Sequence, residues 1–280
     1  AFFLNLTFTV LEVVGGLWTN SMAILSDALH DLGDSVALGM AWFLDRLAQR
    51  KGDTLFSFGY RRFSLLGALL NALILIGGSL FILVHAVPRI LSPEGAYAPG
   101  MIGFALLGII VNGAAVLRLR GGATVNERVV TWHLLEDVLG WEAVLVVSVV
   151  MLFFDLPVLD PILAVLVTLY VLWNVIKSLK RTLILFLQGV PETMLLGDVE
   201  AAIMAVEGVR SVHHLHLWSQ DGEHHVLTAH VVAERSGSLL EAQALRRNIQ
   251  EAMQKFGIGH TTIEIEDPNG EGCPAGADCY

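Results

Sequence analysis

The chain has 280 residues, 54% hydrophobic and 16% charged, with a formal net charge of −10. So apolar a composition excludes a single soluble domain of this length and marks a membrane protein, while the acidic balance argues against nucleic acid as a partner. The apolar residues concentrate in 1–187, and the remainder holds fourteen Asp or Glu against Arg210, Arg235, Arg246, Arg247 and Lys255, so a membrane domain (1–187), an acidic soluble domain (188–268) and a short tail (269–280) are expected.

Six apolar stretches, each long enough to cross a bilayer as a helix, run over about 2–18, 22–48, 62–90, 99–120, 125–154 and 158–179. The opening "AFFLNLTFTVLEVVGGLW" is expected to be a first span met part-way along, not a signal peptide. Turn-like segments separate the spans: "TNS", "KGDTLFSFGY", "SPEGAYAPG", "RGG" and "DLPVLDP". Lys and Arg are retained on the cytoplasmic side of membranes. The connections after spans two, four and six carry Arg46, Arg50, Lys51, Arg61, Arg62, Arg118, Arg120, Arg128, Lys177, Lys180 and Arg181, against only Arg89 on the other side. Both chain ends and the soluble domain are therefore expected in the cytoplasm.

Beyond about Pro191 the order reads helix, strand, strand, helix, strand. "ETMLLGDVEAAIMAVEGV" has helical spacing, "VRSVHHLHLW" and "HHVLTAHVVAE" alternate around the turn "SQDGE", "SLLEAQALRRNIQEAMQKFG" is an amphipathic helix, and "TTIEIE" is a last strand. The expected fold is thus an all-α membrane bundle of six helices followed by a compact α+β domain. Two cysteines, Cys273 and Cys279, are too few for a disulfide framework.

Span two places Asp27, His30, Asp31 and Asp34 inside an apolar block. A carboxylate at the centre of a membrane helix costs about 2.5–3.5 kcal/mol on insertion scales, so these residues must face the bundle interior. His30 and Asp34 are four apart and share one face, with Asp27 a turn earlier. Span five repeats the pattern with His133 and Asp137. Together the pairs offer two nitrogens and two oxygens, a four-ligand shell suited to zinc. Two ionised Asp and two neutral His carry a charge of about −2, which one divalent metal or two protons would cancel, leaving the buried charge unchanged by their exchange. Helix-joining hydrogen bonds and a metal-free proton relay remain open readings of the same residues. Asp27, Asp31 and Glu136, with Glu142, are expected beside the ligands rather than on the metal. Asn5 and Glu12 in span one are expected to brace the bundle rather than bind cargo, and His85 to be a packed or interfacial histidine.

"SMAILSDALHDLGDS", "FGYRR", "HLLEDVLG", "VHHLHLWS", "LTAHVV" and "FGIGHTTIEIE", in this order and over nearly the whole chain, resemble the cation diffusion facilitators, in the zinc-transporting branch with His and Asp in spans two and five. The resemblance implies a homodimer of six-helix protomers with a metallochaperone-like cytoplasmic domain. It implies export of Zn2+, with Cd2+ or Co2+ as alternatives, in exchange for protons by alternating access, and not an enzyme. His30, Asp34, His133 and Asp137 match the transport site. His213, His230, His260 and Glu266 match a cytoplasmic zinc site, with Asp267, His216, Cys273 and Cys279 as further candidates and the choice among His213, His214 and His216 open. The connection between spans four and five lacks a His-rich insert, which favours a bacterial inner-membrane protein. A rival reading is a membrane-anchored metal sensor whose spans only hold the soluble domain.

Overall fold

The computed structural model describes residues 2–119 and 125–270; for residues 2, 4, 41, 45, 119, 125–130 and 133 it describes the backbone alone. Six long helices come first: α1 (Phe2–Thr19), α2 (Met22–Ala48), α3 (Phe63–Leu91), α4 (Ala98–Leu119), α5 (Val125–Phe154) and α6 (Leu159–Phe186). Then follow α7 (Leu196–Met204), β1 (Val209–Ser219), β2 (His225–Ala233), α8 (Leu239–Gln254) and β3 (His260–Glu266). By contacts the chain forms two units, residues 1–43 with 67–179, and residues 44–66 with 180–280.

Among the described residues, four helical segments are long and apolar enough to cross a membrane on their own: Phe63–Leu91, Ala98–Arg118, Leu134–Phe154 and Leu159–Phe186. The second expected span is a continuous helix of 27 residues, yet its Asp27, Asp31, Asp34 and Arg46 keep it below that standard. Its polarity is tolerable only if those groups face protein.

The first unit buries Met22, Ile24, Ile82, Met101, Ala105, Trp141 and Ala164 in one core. Small residues set how closely its helices approach. A side chain at Gly108 on α4 would run into the Trp141 ring of α5, and one at Gly33 on α2 would run into Leu75 of α3. The α1–α2 turn is made by Asn20, in the left-handed region at φ 54°, while the Ser21 N–H donates back to the Gly16 carbonyl (3.0 Å). Ser21 then caps α2, its hydroxyl accepting from the Ile24 N–H at 3.2 Å.

In the second unit β2 pairs antiparallel with β1 and parallel with β3, α8 making the crossover that a parallel pair requires. One face of the sheet packs Leu217, Leu227, Ala229, Val231 and Ile263 against Val199 and Ile203 of α7 and Leu245, Ile249 and Met253 of α8. Period-two alternation leaves Thr228 and His230 of β2, and Thr262, Glu264 and Glu266 of β3, on the other face. The capping box of α8 is complete: the Ser238 hydroxyl accepts from the Glu241 N–H, and the Glu241 carboxylate accepts from the Ser238 N–H at 2.6 Å.

Two elements differ most in length from the sequence reading. The helix expected across 192–209 is confined to Leu196–Met204, because Pro191–Met194 closes a turn and Gly208, at φ 94°, swings the chain into β1. The sixth helix runs on to Phe186, since Lys177, Lys180 and Arg181 are good helix formers.

Within the second unit the connector 49–62 is held by its own bonds. The Asp53 carboxylate accepts from the Leu55 and Phe56 N–H groups (2.9 and 2.8 Å) and from the Tyr60 hydroxyl (2.6 Å). The Tyr60 hydroxyl, followed by those amides, holds Asp53 below the usual carboxylate range. At the β1–β2 turn, Arg61 meets the His224 ring and Asp221, and His224 Nδ1 lies 2.7 Å from the Asp221 carboxylate. Burial raises Asp221, but donation from the Glu223 and His224 N–H groups and the His224 ring outweighs it and leaves the group low. Burial pushes the neighbouring His225 ring below its ordinary value, with Asp221 opposing and His224 adding to the shift.

Two outcomes are expected. Ser238→Ala should weaken α8 by about 1 kcal/mol, read as faster amide exchange in its first turn. His225 binds a proton more readily unfolded than folded, so the stability present above its ordinary pKa of about 6.5 is lost as pH falls below it. Amides of the β1–β2 hairpin, corrected for intrinsic rates, should therefore lose protection between pH 7.5 and 5.5, and His225→Phe should flatten that dependence.

Candidate functional site

The acidic face of α2 is turned toward α5. The Asp27 carboxylate comes within 3.9 Å of where a Cβ would stand on Gly140, and it lies in electrostatic reach of Asp31, Asp34 and Asp137. The carboxyl of Glu12 on α1, fully buried, is in similar reach of Asp31, Asp27 and Asp137. His30 Nε2 lies 3.7 Å from Asp34 Oδ2, and both side chains are about a quarter exposed. His133 is on α5 one turn before Asp137; its side chain lies outside the described residues. Asn5 ties α1 to α2, donating to the Asp31 carbonyl (3.3 Å) and the Ser35 hydroxyl (3.1 Å).

Five acidic side chains from three helices thus share one apolar interior. Carboxylates this close repel in a medium that screens poorly, and the repulsion is relieved only by cations, either metal ions or protons. Glu136 stands apart from this group, exposed and accepting from the Tyr170 hydroxyl of α6 at 3.2 Å, because one residue along a helix turns the side chain by about 100°. Glu142 is also exposed. His85 donates from Nδ1 to the Phe81 carbonyl of its own helix (2.8 Å), its ring 4.3 Å from that of Phe81.

A second cluster stands on the polar face of the sheet. His213 of β1 and His230 of β2 are paired in register, and β3 brings up Glu266. One ligand atom from each lies within 4.8 Å of the other two. Glu266 Oε1 is 2.8 Å from His230 Nδ1 and 3.2 Å from His213 Nε2. Two imidazoles and a carboxylate are a zinc-type donor set, and His213 Nε2 is buried without a hydrogen bond of good geometry, as a lone pair awaiting a cation would be. These three groups are placed to share one metal ion.

An irregularity between His213 and His216 decides which histidine of "VHHLH" joins. His214 takes the left-handed conformation, φ 47°, and its ring comes to 5.1 Å from His213 and 5.3 Å from His230. His216 instead lines an adjoining pocket with His214, Thr228, His230, Thr262 and Glu264. His260 is not brought to the cluster. It pairs with Val226 at the opposite end of β3 from Glu266, about 20 Å away by strand rise, and its ring packs 5.4 Å from Phe58. Asp267 caps its own turn, accepting from the Asn269 N–H and the Ser236 hydroxyl, which together hold it low. Cys273 and Cys279 lie outside the described residues.

One buried group escaped the sequence reading: Asp160, at the start of α6, accepts from the Ser21 hydroxyl and the N–H groups of Met22 and Ala23. The signal available was a carboxylate at the mouth of an apolar span, but its partner helix could not be read from one chain segment.

Comparison with known proteins agrees over most of the chain. The family model of the cation efflux transmembrane domain matches residues 1–187, and that of the cation efflux protein cytoplasmic domain matches residues 191–268. The metal cation efflux system protein CzcD of Cupriavidus metallidurans is 37% identical over 93% of this chain and 83% of its own length. The cadmium, cobalt and zinc/H(+)-K(+) antiporter of Bacillus subtilis is 32% identical over 92% of this chain and 85% of its own. The zinc transporter ZitB of Pectobacterium atrosepticum is 35% identical over 95% and 83%. The chain belongs to the cation efflux family of membrane metal transporters, the cation diffusion facilitators.

Proposed function

We propose that the protein exports cytoplasmic Zn2+ in exchange for protons, with His30, Asp34, His133 and Asp137 as the transport ligands, and that Cd2+ or Co2+ can replace zinc. The observation that carries this reading is the acid-rich face of α2 meeting α5 at Asp27, Gly140 and Asp137 inside the apolar unit. Two carboxylates and two neutral imidazoles carry about −2, so one divalent ion or two protons leave the same neutral site. A site neutral with either cargo can be carried through a low-dielectric interior in both directions, which is what alternating access requires. Relatives named as a zinc transporter and as a cadmium, cobalt and zinc/H(+)-K(+) antiporter support both the cargo and its exchange against protons.

The remaining assignments follow the same reading. Residues 1–187 form the membrane domain, 188–268 the cytoplasmic domain and 269–280 its tail, in a homodimer of the bacterial inner membrane with both ends cytoplasmic. The excess of Lys and Arg after helices two, four and six supports that orientation. His213, His230 and Glu266 hold a cytoplasmic zinc ion, which ties all three strands of the sheet together; Asp27, Asp31 and Glu12 surround the transport ligands without binding the metal.

Zinc uptake into inside-out vesicles under a proton gradient tests the transport reading. His30→Ala, Asp34→Ala and Asp137→Ala should each cut flux to background while the protein still folds; flux at the parental level in all three would sink the proposal, and zinc-dependent signalling without flux would favour a sensor. The cytoplasmic site is tested by zinc titration on an Asp34→Ala background. There His213→Ala or Glu266→Ala should weaken binding at least ~10-fold, and His260→Ala should leave it as it was.

A further inference from the structure

The polar contacts between α2 and α6 form a ladder that leads to the transport ligands. At its foot is Asp160, 1% exposed, whose Oδ1 accepts from the Ser21 hydroxyl (2.6 Å) and the Ala23 N–H (3.3 Å) and whose Oδ2 accepts from the Met22 N–H (2.7 Å). With Ser21 taking the Ile24 N–H, the first three amides of α2 are satisfied without water. Next come Ser26 and Thr168, both buried, with their hydroxyl oxygens 2.9 Å apart. Next again, His30 and Ser26 line one small cavity with Thr168 and Val171. Residue numbers rise together on both helices, so α2 and α6 run parallel from a common end. Met22, Ser26, His30 and Asp34 are spaced by four and wind along one stripe of α2, about 6 Å apart.

Electrostatics explains why the foot carries a carboxylate. Parallel helices bring the positive ends of two macrodipoles together, and an anion placed between them favours both. The buried carboxylate is compensated by two backbone N–H groups and a hydroxyl, and Arg89, whose guanidinium donates to the Asn20 carbonyl (3.2 Å) beside the same turn, adds a nearby positive charge. An amide side chain of the same shape would keep one acceptor and turn an NH2 toward the N–H groups of α2.

On the transport reading above, we infer that Asp160 is a positioning residue for transport. By fixing the first turn of α2 on α6 it sets the height and rotation of the stripe bearing His30 and Asp34, about 12 Å along the helix, and so how well that stripe meets α5. It touches no cargo and acts through the helix.

The test is zinc flux by the full-length protein in inside-out vesicles, comparing the parent with Asp160→Asn, Asp160→Glu, Ser21→Ala and His30→Ala. Asp160→Asn should raise the KM for zinc at least tenfold with the protein still eluting and melting as a folded species. Asp160→Glu, which restores the charge, should recover part of that loss, and Ser21→Ala, which removes one donor, should raise KM by a smaller factor. If Asp160→Asn does not fold, Ser21→Ala carries the test. A parental KM in whichever of these variants folds, with His30→Ala inactive, overturns this inference alone; parental flux in His30→Ala overturns the function on which it rests.

Discussion

Acidic side chains confined to an apolar helix bundle are the constraint around which the first unit is organised. Each carboxyl of Glu12, Asp27, Asp31, Asp34 and Asp137 would be costly against lipid, so α2 and α5 turn their charged stripes toward each other. Helices built that way cannot be read as independent spans. The polarity that keeps α2 from counting among the strongly apolar helices is the polarity that turns it toward Asn5 of α1 and Asp137 of α5. Glycines serve the same end, because Gly33 and Gly108 let neighbouring helices approach to where buried groups meet.

The second unit meets a milder form of the same problem with a sheet. Its apolar face is covered by α7 and α8, and its other face is free to carry polar side chains. Register then does the rest: His213 stands opposite His230, and a parallel β3 adds Glu264 and Glu266 to the same face. The irregularity after His213 brings a third imidazole, His214, close to the pair. Three histidine rings beside two carboxylates give the face a donor density that a regular hairpin would divide between its two sides.

Both clusters join parts of the chain that are distant in sequence. Asp27 meets Gly140 and Asp137 across more than a hundred residues, Asp160 meets Ser21 across 139, and Glu266 meets His230 across 36. On the proposed function, cargo at either cluster would strengthen a tertiary contact and not merely fill a local motif.

The sequence by itself determined the six helices, the order of the α+β unit and the identity of the charged stripes. These follow from local periodicity: an apolar run of bilayer length, an i, i+4 pair of His and Asp, an alternating strand. The resemblance names His213, His230 and Glu266 as candidates but leaves the choice among His213, His214 and His216 open and sets His260 beside them. Tertiary structure alone decided the rest. It turned Glu136 toward Tyr170 and paired Asp160 with the start of α2. In each case the deciding quantity is a distance between segments far apart in the chain, and local periodicity carries no information about such distances.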